Sequence, residues 1–332
     1  MIKKKSIMVT GGGGYVGSLL VPKLLADGYE VTVLDLFMYG QGIFDDILYD
    51  PCLRLVKGDL RDIGKVKSAL FGCDTVIHLA CISNDPSFEL NPDLGKSINY
   101  DCFLPLVKAS KDAGVSQFIY ASSSSVYGVK DNVDVIEELA LEPLTDYSKY
   151  KAMCEDILLA EQEEGFTVTI VRPATVCGYA PRQRLDVIVN ILTNNAVNNR
   201  LIKVFGGEQK RPNIAIKDMV RAYRHILESP NEVIKGKIYN IGFENHTVSK
   251  LADMVKSLVG EDVVIEKVPT NDMRSYHISS KKITEELGFK NKFTIENAIT
   301  DLNYAMEKNL LLDPLNNPNY INIKVMQTNN LE

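Results

Sequence analysis

The sequence lacks the patterns typical of metal-binding, disulfide-bonded and membrane proteins. Its six cysteines show no C-x-x-C spacing, and its four histidines are widely separated. We interpret the cysteines as reduced thiols of a cytosolic protein and expect no protein-bound metal. No apolar run approaches the length of a membrane span, and the short run after Lys5 does not resemble a signal peptide. We therefore expect a cytoplasmic protein.

The sequence also lacks a strong charge of either sign. Its formal net charge of −6 argues against nucleic acid or an anionic membrane as partner. The apolar content of 45% and charged content of 24% are those of a globular protein. A length of 332 residues allows one large domain or two.

Short β-rich apolar runs alternate with amphipathic stretches through the first half of the sequence. The predicted strands are Ser6–Thr10, Glu30–Asp35, Leu53–Lys57, Thr75–Leu79, Gln117–Ala121 and Thr167–Arg172. The predicted helices are Tyr15–Asp27, Asp62–Phe71, Pro92–Ala113 and Asp146–Glu164. This alternation predicts an α/β fold with a doubly wound parallel sheet and helices on both faces.

The pattern loosens after Arg172-Pro173, which indicates a smaller C-terminal α/β lobe. We expect a strand at Asn213–Ile216, and helices at Leu185–Asn195, Asp218–Glu228, Val248–Val259, Lys281–Leu287 and Ile295–Met306. We assign residues 1–176 and about 213–242 to the first domain, about 177–212 and 243–312 to the lobe, and 313–332 to an extension. The Asn-rich extension is expected to wrap the surface or to be partly disordered.

A glycine-rich loop, Thr10 to Gly17, follows the first predicted strand and opens the first predicted helix. Its Gly11, Gly14 and Gly17 allow a tight turn and let backbone N–H groups reach a pyrophosphate, with Tyr15 and Val16 between them. Asp35 ends the second strand, where a carboxylate can bind both adenosine ribose hydroxyls and repel a 2′-phosphate. The pattern predicts a dinucleotide site for NAD rather than NADP.

Two further strand ends fall near the expected cofactor. Asp59 and Leu60 follow the third strand and are predicted to flank the adenine, although a simple turn or helix cap explains them too. Leu79 and Ala80 end the fourth strand beside the expected pyrophosphate, with core packing as the alternative for Leu79.

The most informative pair is Tyr147 and Lys151, which lie four residues apart on one helical face. A free phenol has a pKa of about 10, so a base active near neutrality needs a decrease of roughly 3 units, or about 4 kcal/mol. The Lys151 ammonium can supply much of that, and Ser123, at the end of a strand, can hold the substrate oxygen. These residues predict proton removal from an alcohol coupled to hydride transfer.

In this order, the motifs resemble the extended short-chain dehydrogenase/reductase family, and within it the nucleotide-sugar epimerase/dehydratase group that includes UDP-galactose 4-epimerase. The resemblance covers about residues 5 to 310. It implies a Rossmann-type domain, tightly held NAD, a lobe for a nucleoside-diphosphate sugar, and a homodimer packed through Pro92–Ala113 and Asp146–Glu164. Bacterial surface-polysaccharide synthesis is the pathway such an enzyme implies.

The resemblance also assigns roles to residues. Tyr147 is the base, and Lys151 lowers its pKa and bonds the nicotinamide ribose. Ser123 occupies the position of the family's active-site Ser/Thr. Asn99 resembles the asparagine that supports the active-site helix near the cofactor. On the substrate side, Ser124 and Ser125 are candidate sugar contacts, Asn190, Arg211 and Arg274 resemble diphosphate contacts, and Lys203-Val204 resembles the stretch lining the nucleobase.

Several reactions share a first oxidation at the sugar C4. The family's dehydratases carry Asp and Glu where Ser124 and Ser125 stand, and its decarboxylases carry Glu at Ser125, which disfavours both. We expect a 4-epimerase acting through a transient 4-keto sugar. The alternative is a C4 dehydrogenase that releases the 4-keto sugar. A non-catalytic NAD-binding sensor would usually lack the Tyr or Lys, and this sequence has both.

Overall fold

The computed structural model describes residues 5–130, 134–270 and 277–329. In these ranges the strands are β1 (Ser6–Thr10), β2 (Glu30–Asp35), β3 (Leu53–Lys57), β4 (Thr75–His78), β5 (Gln117–Ala121), β6 (Thr167–Pro173), β7 (Thr175–Cys177), β8 (Leu201–Phe205), β9 (Lys210–Ala215), β10 (Lys237–Ile241), β11 (Glu244–Thr247) and β12 (Val264–Val268).

The helices are α1 (Gly17–Ala26), α2 (Ile63–Leu70), α3 (Asp85–Glu89), α4 (Pro92–Lys96), α5 (Phe103–Asp112), α6 (Asp146–Ala160), α7 (Ile188–Asn199), α8 (Ile216–Glu228), α9 (Asn231–Ile234), α10 (Val248–Val259), α11 (Lys281–Leu287), α12 (Ile295–Glu307) and α13 (Asn322–Thr328). No helix in the described ranges is long and apolar enough to cross a membrane.

Seven parallel strands form the main sheet in the order β3-β2-β1-β4-β5-β6-β10. Every residue of β1 and β4 is buried, because helices cover both faces of the sheet. The strand order reverses between β1 and β4, which opens a crevice at their carboxyl ends where ligands bind in such folds. The predicted Rossmann-type α/β fold is confirmed.

The remaining strands form a mixed three-stranded sheet, β11-β9-β7, and a parallel pair, β12-β8. Strand β7 of the three-stranded sheet begins directly after β6, so this sheet starts at the carboxyl end of the main sheet. A separate cluster of apolar residues fills the space between β8, α7, α10 and α12. The predicted C-terminal α/β lobe is thereby confirmed as a fold feature.

One long predicted helix, Pro92–Ala113, is broken in the structure. It forms α4, a π-helical turn at Ser97–Asp101, and then α5. The turn precedes Pro105, whose ring nitrogen cannot donate to the carbonyl of Asp101. The prediction of one continuous helix was wrong for this reason.

Candidate active site

A cavity of about 570 Å³ lies at the carboxyl ends of the main strands. Its wall combines the ends of β1 to β6 with the segment after β7 and a residue of α13. Of the predicted site residues, it includes Gly11, Gly14, Tyr15, Val16, Gly17, Asp35, Asp59, Leu60, Leu79, Ala80, Ser123, Ser124, Ser125, Tyr147 and Arg211. The structure thus brings together residues that lie up to 200 positions apart in sequence.

The glycine loop passes so close to its neighbours that side chains are excluded. Gly11 has φ +70°, and a Cβ there would lie 2.6 Å from the backbone of Ala80. A Cβ on Gly17 would lie 2.4 Å from the carbonyl oxygen of Gly12. Both positions therefore require glycine, which lets the loop turn tightly into α1 beside the end of β4.

Asp35 is fixed beside this loop. Its Oδ2 accepts from the Gly13 amide at 2.8 Å and its Oδ1 from the Phe37 amide at 2.7 Å. Burial raises the pKa of the Asp35 carboxyl from its usual value, and these two backbone donors oppose that change. Each carboxylate oxygen keeps a further lone pair for a ribose hydroxyl.

The predicted adenine-side residues lie in the cavity wall after β3. Asp59 there accepts from Arg61, with Nη2 to Oδ2 at 2.8 Å.

The last residues of β1 and β4 are joined by a hydrogen bond. The Thr10 hydroxyl at the end of β1 lies 2.6 Å from Nδ1 of His78 at the end of β4, and it accepts from the Ala80 amide at 3.4 Å. Burial lowers the pKa of His78 to about 3, so this histidine is neutral. We interpret His78 as a support for the strand end.

Tyr147 lies in the first turn of α6, where Thr145 caps the helix through a capping box with Ser148. The Ser123 hydroxyl lies 2.8 Å from that of Ser125, and both hydroxyls line the same cavity as Tyr147. Burial raises the pKa of the Tyr147 phenol, while Ser123 opposes the change. Removal of the phenolic proton therefore depends on positive charge held near it.

Two positive charges lie near Tyr147: Arg184, which opposes the rise in its pKa, and Lys151, one turn later on α6. The Lys151 Nζ lies 6.0 Å from the centre of the Tyr147 ring and donates to the Ala121 carbonyl at 2.7 Å. The side chain is 3% exposed and sits just behind the wall formed by Ser123 and Tyr147. The structure therefore places the predicted catalytic residues together at the end of β5.

Sequence reasoning missed the buried ion pair that holds α6 in place. The Arg172 Nε on β6 donates to Glu155 Oε1 on α6 at 3.0 Å, and its Nη2 donates to Oε2 at 2.5 Å. Ser122, at the end of β5, donates to the same carboxylate. Arg172 ends a predicted strand, but nothing in the sequence indicates that Glu155 is its partner.

Asn99 supports the site from behind. Its side chain makes both hydrogen bonds to the backbone of Ile82, at 2.8 and 2.9 Å, and its carbonyl accepts from the Cys154 thiol on α6. It lies in the π-helical turn and is 6% exposed. Asn99 thus joins the loop after β4 to α6, beneath the cavity wall.

Three of the predicted substrate-side residues lie away from the cavity in the described part of the chain. Asn190 is buried, bonds both backbone groups of Gly178, and donates to the Tyr15 hydroxyl at 2.9 Å. Its carboxamide therefore ties the glycine loop to the smaller lobe. Val204 is buried in the core of that lobe, and Lys203 beside it on β8 is exposed. Arg274 lies outside the described residues.

The cavity wall also contains residues that sequence reasoning did not single out. They come from the β2 loop, the β4 loop, the segment after β7 and α13, and they include Tyr39, Ser83, Arg182, Arg184, Asp186 and Asn322. The stretch from Gly178 to Arg184 lies between predicted secondary-structure elements in the sequence. Its two arginines, whose forks suit phosphate or carboxylate, were a usable signal.

Comparison with known proteins agrees with this geometry. The chain is 26% identical to a UDP-glucose 4-epimerase of Lactobacillus helveticus over 309 residues, which cover 86% of this chain and 92% of that protein. The structure of UDP-glucose 4-epimerase from Thermotoga maritima, solved with UDP-glucose, matches with a TM-score of 0.81 and 26% identity, covering 92% of this chain and all of that one.

A dTDP-glucose 4,6-dehydratase, DesIV from Streptomyces venezuelae, is equally similar. Its structure with NAD and TYD bound matches with a TM-score of 0.83 and 26% identity, covering 93% of this chain and 99% of that one. The model of the NAD dependent epimerase/dehydratase family matches residues 7–242. The chain therefore belongs to the NAD-dependent epimerase/dehydratase family, whose cofactor is NAD.

Proposed function

We propose that this protein is a nucleotide-sugar 4-epimerase that uses NAD and acts through a transient 4-keto sugar. The observation that carries the proposal is the placement of Tyr147, Ser123 and Ser125 in one cavity with the glycine loop and Asp35. A candidate base for the alcohol proton thus lines the same cavity as the glycine loop proposed to bind the dinucleotide. NAD, when bound, supplies the hydride acceptor.

The residues present fit that cofactor. The loop at Gly11 and Gly17 has room only for backbone, so a pyrophosphate can approach the backbone closely at the start of α1. Asp35 is held by two backbone amides with lone pairs left for ribose hydroxyls. Lys151 Nζ lies 6.0 Å from the centre of the Tyr147 ring, and in this proposal it also bonds the nicotinamide ribose.

In the proposed chemistry, Tyr147 accepts the C4 hydroxyl proton and later returns it. Burial opposes formation of the phenolate, and in this proposal the ammonium of Lys151 and the guanidinium of Arg184 stabilise it. The Ser123 hydroxyl donates to the substrate oxygen, and its bond with Ser125 orients it. Because the hydride returns to the same carbon, an epimerase must hold NAD throughout turnover.

The carboxylates of the cavity wall support epimerisation over dehydration. A 4,6-dehydratase needs an acid and a base near C5 and C6, and here Ser124 and Ser125 follow Ser123. The described wall contains four carboxylates, all of them already bonded: Asp35 to Gly13, Asp59 to Arg61, Asp85 to Thr145 and Asp186 to Arg184. Their partners make these groups poor candidates for moving protons at C5 and C6.

The test is a screen of the purified protein against UDP-, dTDP-, GDP- and CDP-sugars, read by mass spectrometry and NMR. A 4-epimerase gives a C4 isomer of unchanged mass with no net reduction of NAD. A product lighter by one water identifies a dehydratase. A product lighter by two hydrogens, with stoichiometric NADH, identifies the C4 dehydrogenase. Either of these latter results would replace the proposal.

A further inference from the structure

The C-terminal segment, residues 313–329, returns to the cavity and joins its two sides. The Tyr320 carbonyl accepts from the Leu185 amide at 2.8 Å. The Asn322 backbone N–H donates to Asp186 at 3.0 Å, and its side-chain Nδ2 donates to the Ser83 hydroxyl at 2.7 Å. Ser83 belongs to the loop after β4 and Asp186 to the segment after β7. Asn322 is 3% exposed and lines the cavity.

The same segment packs against the neighbourhood of the catalytic tyrosine. Met326, one turn after Asn322 on α13, contacts an apolar cluster that contains Ile82 and Phe88. Tyr147 packs against this cluster from the side of α6. The segment is therefore part of the wall that encloses the site, and its position is set by both polar and apolar contacts.

Arg182 is the charged residue that this segment holds. Its guanidinium lies 3.5 Å from the centre of the Tyr39 ring, and one terminal N–H donates to Asn322 Oδ1. The residue is 4% exposed, yet its Nε has no hydrogen-bond partner among the described residues. A buried donor on a charged group normally has an acceptor. Arg182 lines the cavity, so a bound anion can supply that acceptor.

The surroundings of Arg182 belong to the cofactor side of the cavity. Its backbone N–H donates to Ser18 in the first turn of α1, at 3.2 Å. Its positive charge also acts on the carboxylate of Asp35. Both neighbours flank the glycine loop, where the diphosphate of a dinucleotide lies in this fold. A nucleotide sugar also carries a diphosphate. The position of Arg182 beside the glycine loop favours contact with the diphosphate of the cofactor.

We propose that Arg182 donates its Nε–H to the diphosphate of bound NAD, and that Asn322 positions the guanidinium and closes the cavity over the cofactor. The contact itself does not depend on which reaction follows. Its consequence, that the segment retains the reduced cofactor between two hydride transfers, rests on the proposed epimerase function. Asn322 is thus a positioning residue.

The experiment measures binding, so it does not depend on turnover. NAD and, separately, UDP and dTDP are titrated calorimetrically into nucleotide-stripped, full-length Arg182→Met, Asn322→Ala and wild-type protein. Asn319→Ala is the matched control, because Asn319 is exposed on the same segment. We expect Arg182→Met to weaken NAD binding about ten- to hundredfold, and Asn322→Ala about three- to tenfold with faster NAD dissociation. UDP and dTDP affinities should match wild type in all three variants, and the thermal midpoint of Asn319→Ala should match wild type.

Unchanged NAD affinity in both cavity variants would overturn the proposal. Loss of UDP or dTDP affinity with NAD affinity intact would assign the anion to the nucleotide sugar, which also overturns it. An equal effect of Asn319→Ala would remove the positioning role of Asn322. If Arg182→Met does not fold, the proposal is tested with Asn322→Ala and with Arg182→Lys, which keeps the charge. The same NAD, UDP and dTDP affinities are then measured in these variants. A dehydratase or dehydrogenase product in the sugar screen would leave these outcomes unaffected.

Discussion

Replacing Glu155 by Gln should strongly destabilise the protein, although position 155 lies outside the cavity wall of the described chain. The Glu155 and Arg172 side chains are 2% and 3% exposed, and the variant leaves the guanidinium charge without its counter-ion. Breaking one side of a buried ion pair costs about 3–5 kcal/mol. We expect a loss in this range in the free energy of unfolding, measured by urea denaturation followed by circular dichroism.

A control variant at Glu161, just after the same helix, separates the effect of burial from that of charge. Glu161 follows α6 and pairs with Lys111 at 3.0 Å, with about a quarter of each side chain exposed. Glu161→Gln should cost less than about 1 kcal/mol. The double variant Glu155→Met with Arg172→Met should regain most of the loss, because neither charge is then left alone. A loss below about 1 kcal/mol in Glu155→Gln, or an equal loss in Glu161→Gln, would refute this reasoning.

Three further predictions concern the site directly. Tyr147→Phe should reduce kcat by about 10²- to 10⁴-fold while leaving NAD affinity nearly unchanged, and Tyr150→Phe on the same helix should be nearly silent; equal turnover in Tyr147→Phe would remove that residue from the mechanism. Asp35→Asn should weaken NAD binding about tenfold and narrow its preference over NADP in calorimetric titrations, and an unaltered preference would contradict the ribose role. Because burial lowers the pKa of His78 from 6.5 to about 3, the unfolded chain binds the extra proton between these values. The stability of wild type relative to His78→Phe should therefore fall as pH decreases from 7 to 4 in urea denaturation, whereas parallel profiles would contradict a buried neutral histidine.

The main sheet was predictable because its strands are short, buried apolar runs between turn residues. The bounds of β1, β2, β3 and β5 match the predictions, as do those of α10 and α11. The pair β8 and β12 was missed, because β12 contains no buried residue and the two strands meet only through a contact across about 60 positions. Such pairing leaves little local signal in a sequence.

The site was predictable where chemistry lies at strand ends. Glycines after β1, a carboxylate after β2 and serines after β5 must converge once the sheet is parallel. Arg182 and Asn322 could not be placed in this way, because their contact spans 140 positions and depends on how the segment 313–329 folds back. The Asn-rich composition of that segment gave no indication that Val325 and Met326 would be buried.

The pKa of the Tyr147 phenol, the proposed base, shows a different limit of prediction from sequence. The Tyr147–Lys151 spacing predicted a phenol made acidic by its neighbour, and the two residues do lie together. Burial, which the sequence does not reveal, raises the pKa of Tyr147 instead. The proposed base therefore requires compensating positive charge, for which Lys151 and Arg184 are the nearby candidates.

The central claim is that one hydride leaves C4 and returns to C4 within the same protein-bound cofactor. The most direct test is conversion of a nucleotide sugar carrying deuterium at C4, in ordinary water, with the product analysed by mass spectrometry and NMR. We predict a C4 isomer that retains the deuterium at C4. Loss of the label to solvent, or its recovery in free reduced cofactor, would contradict this account.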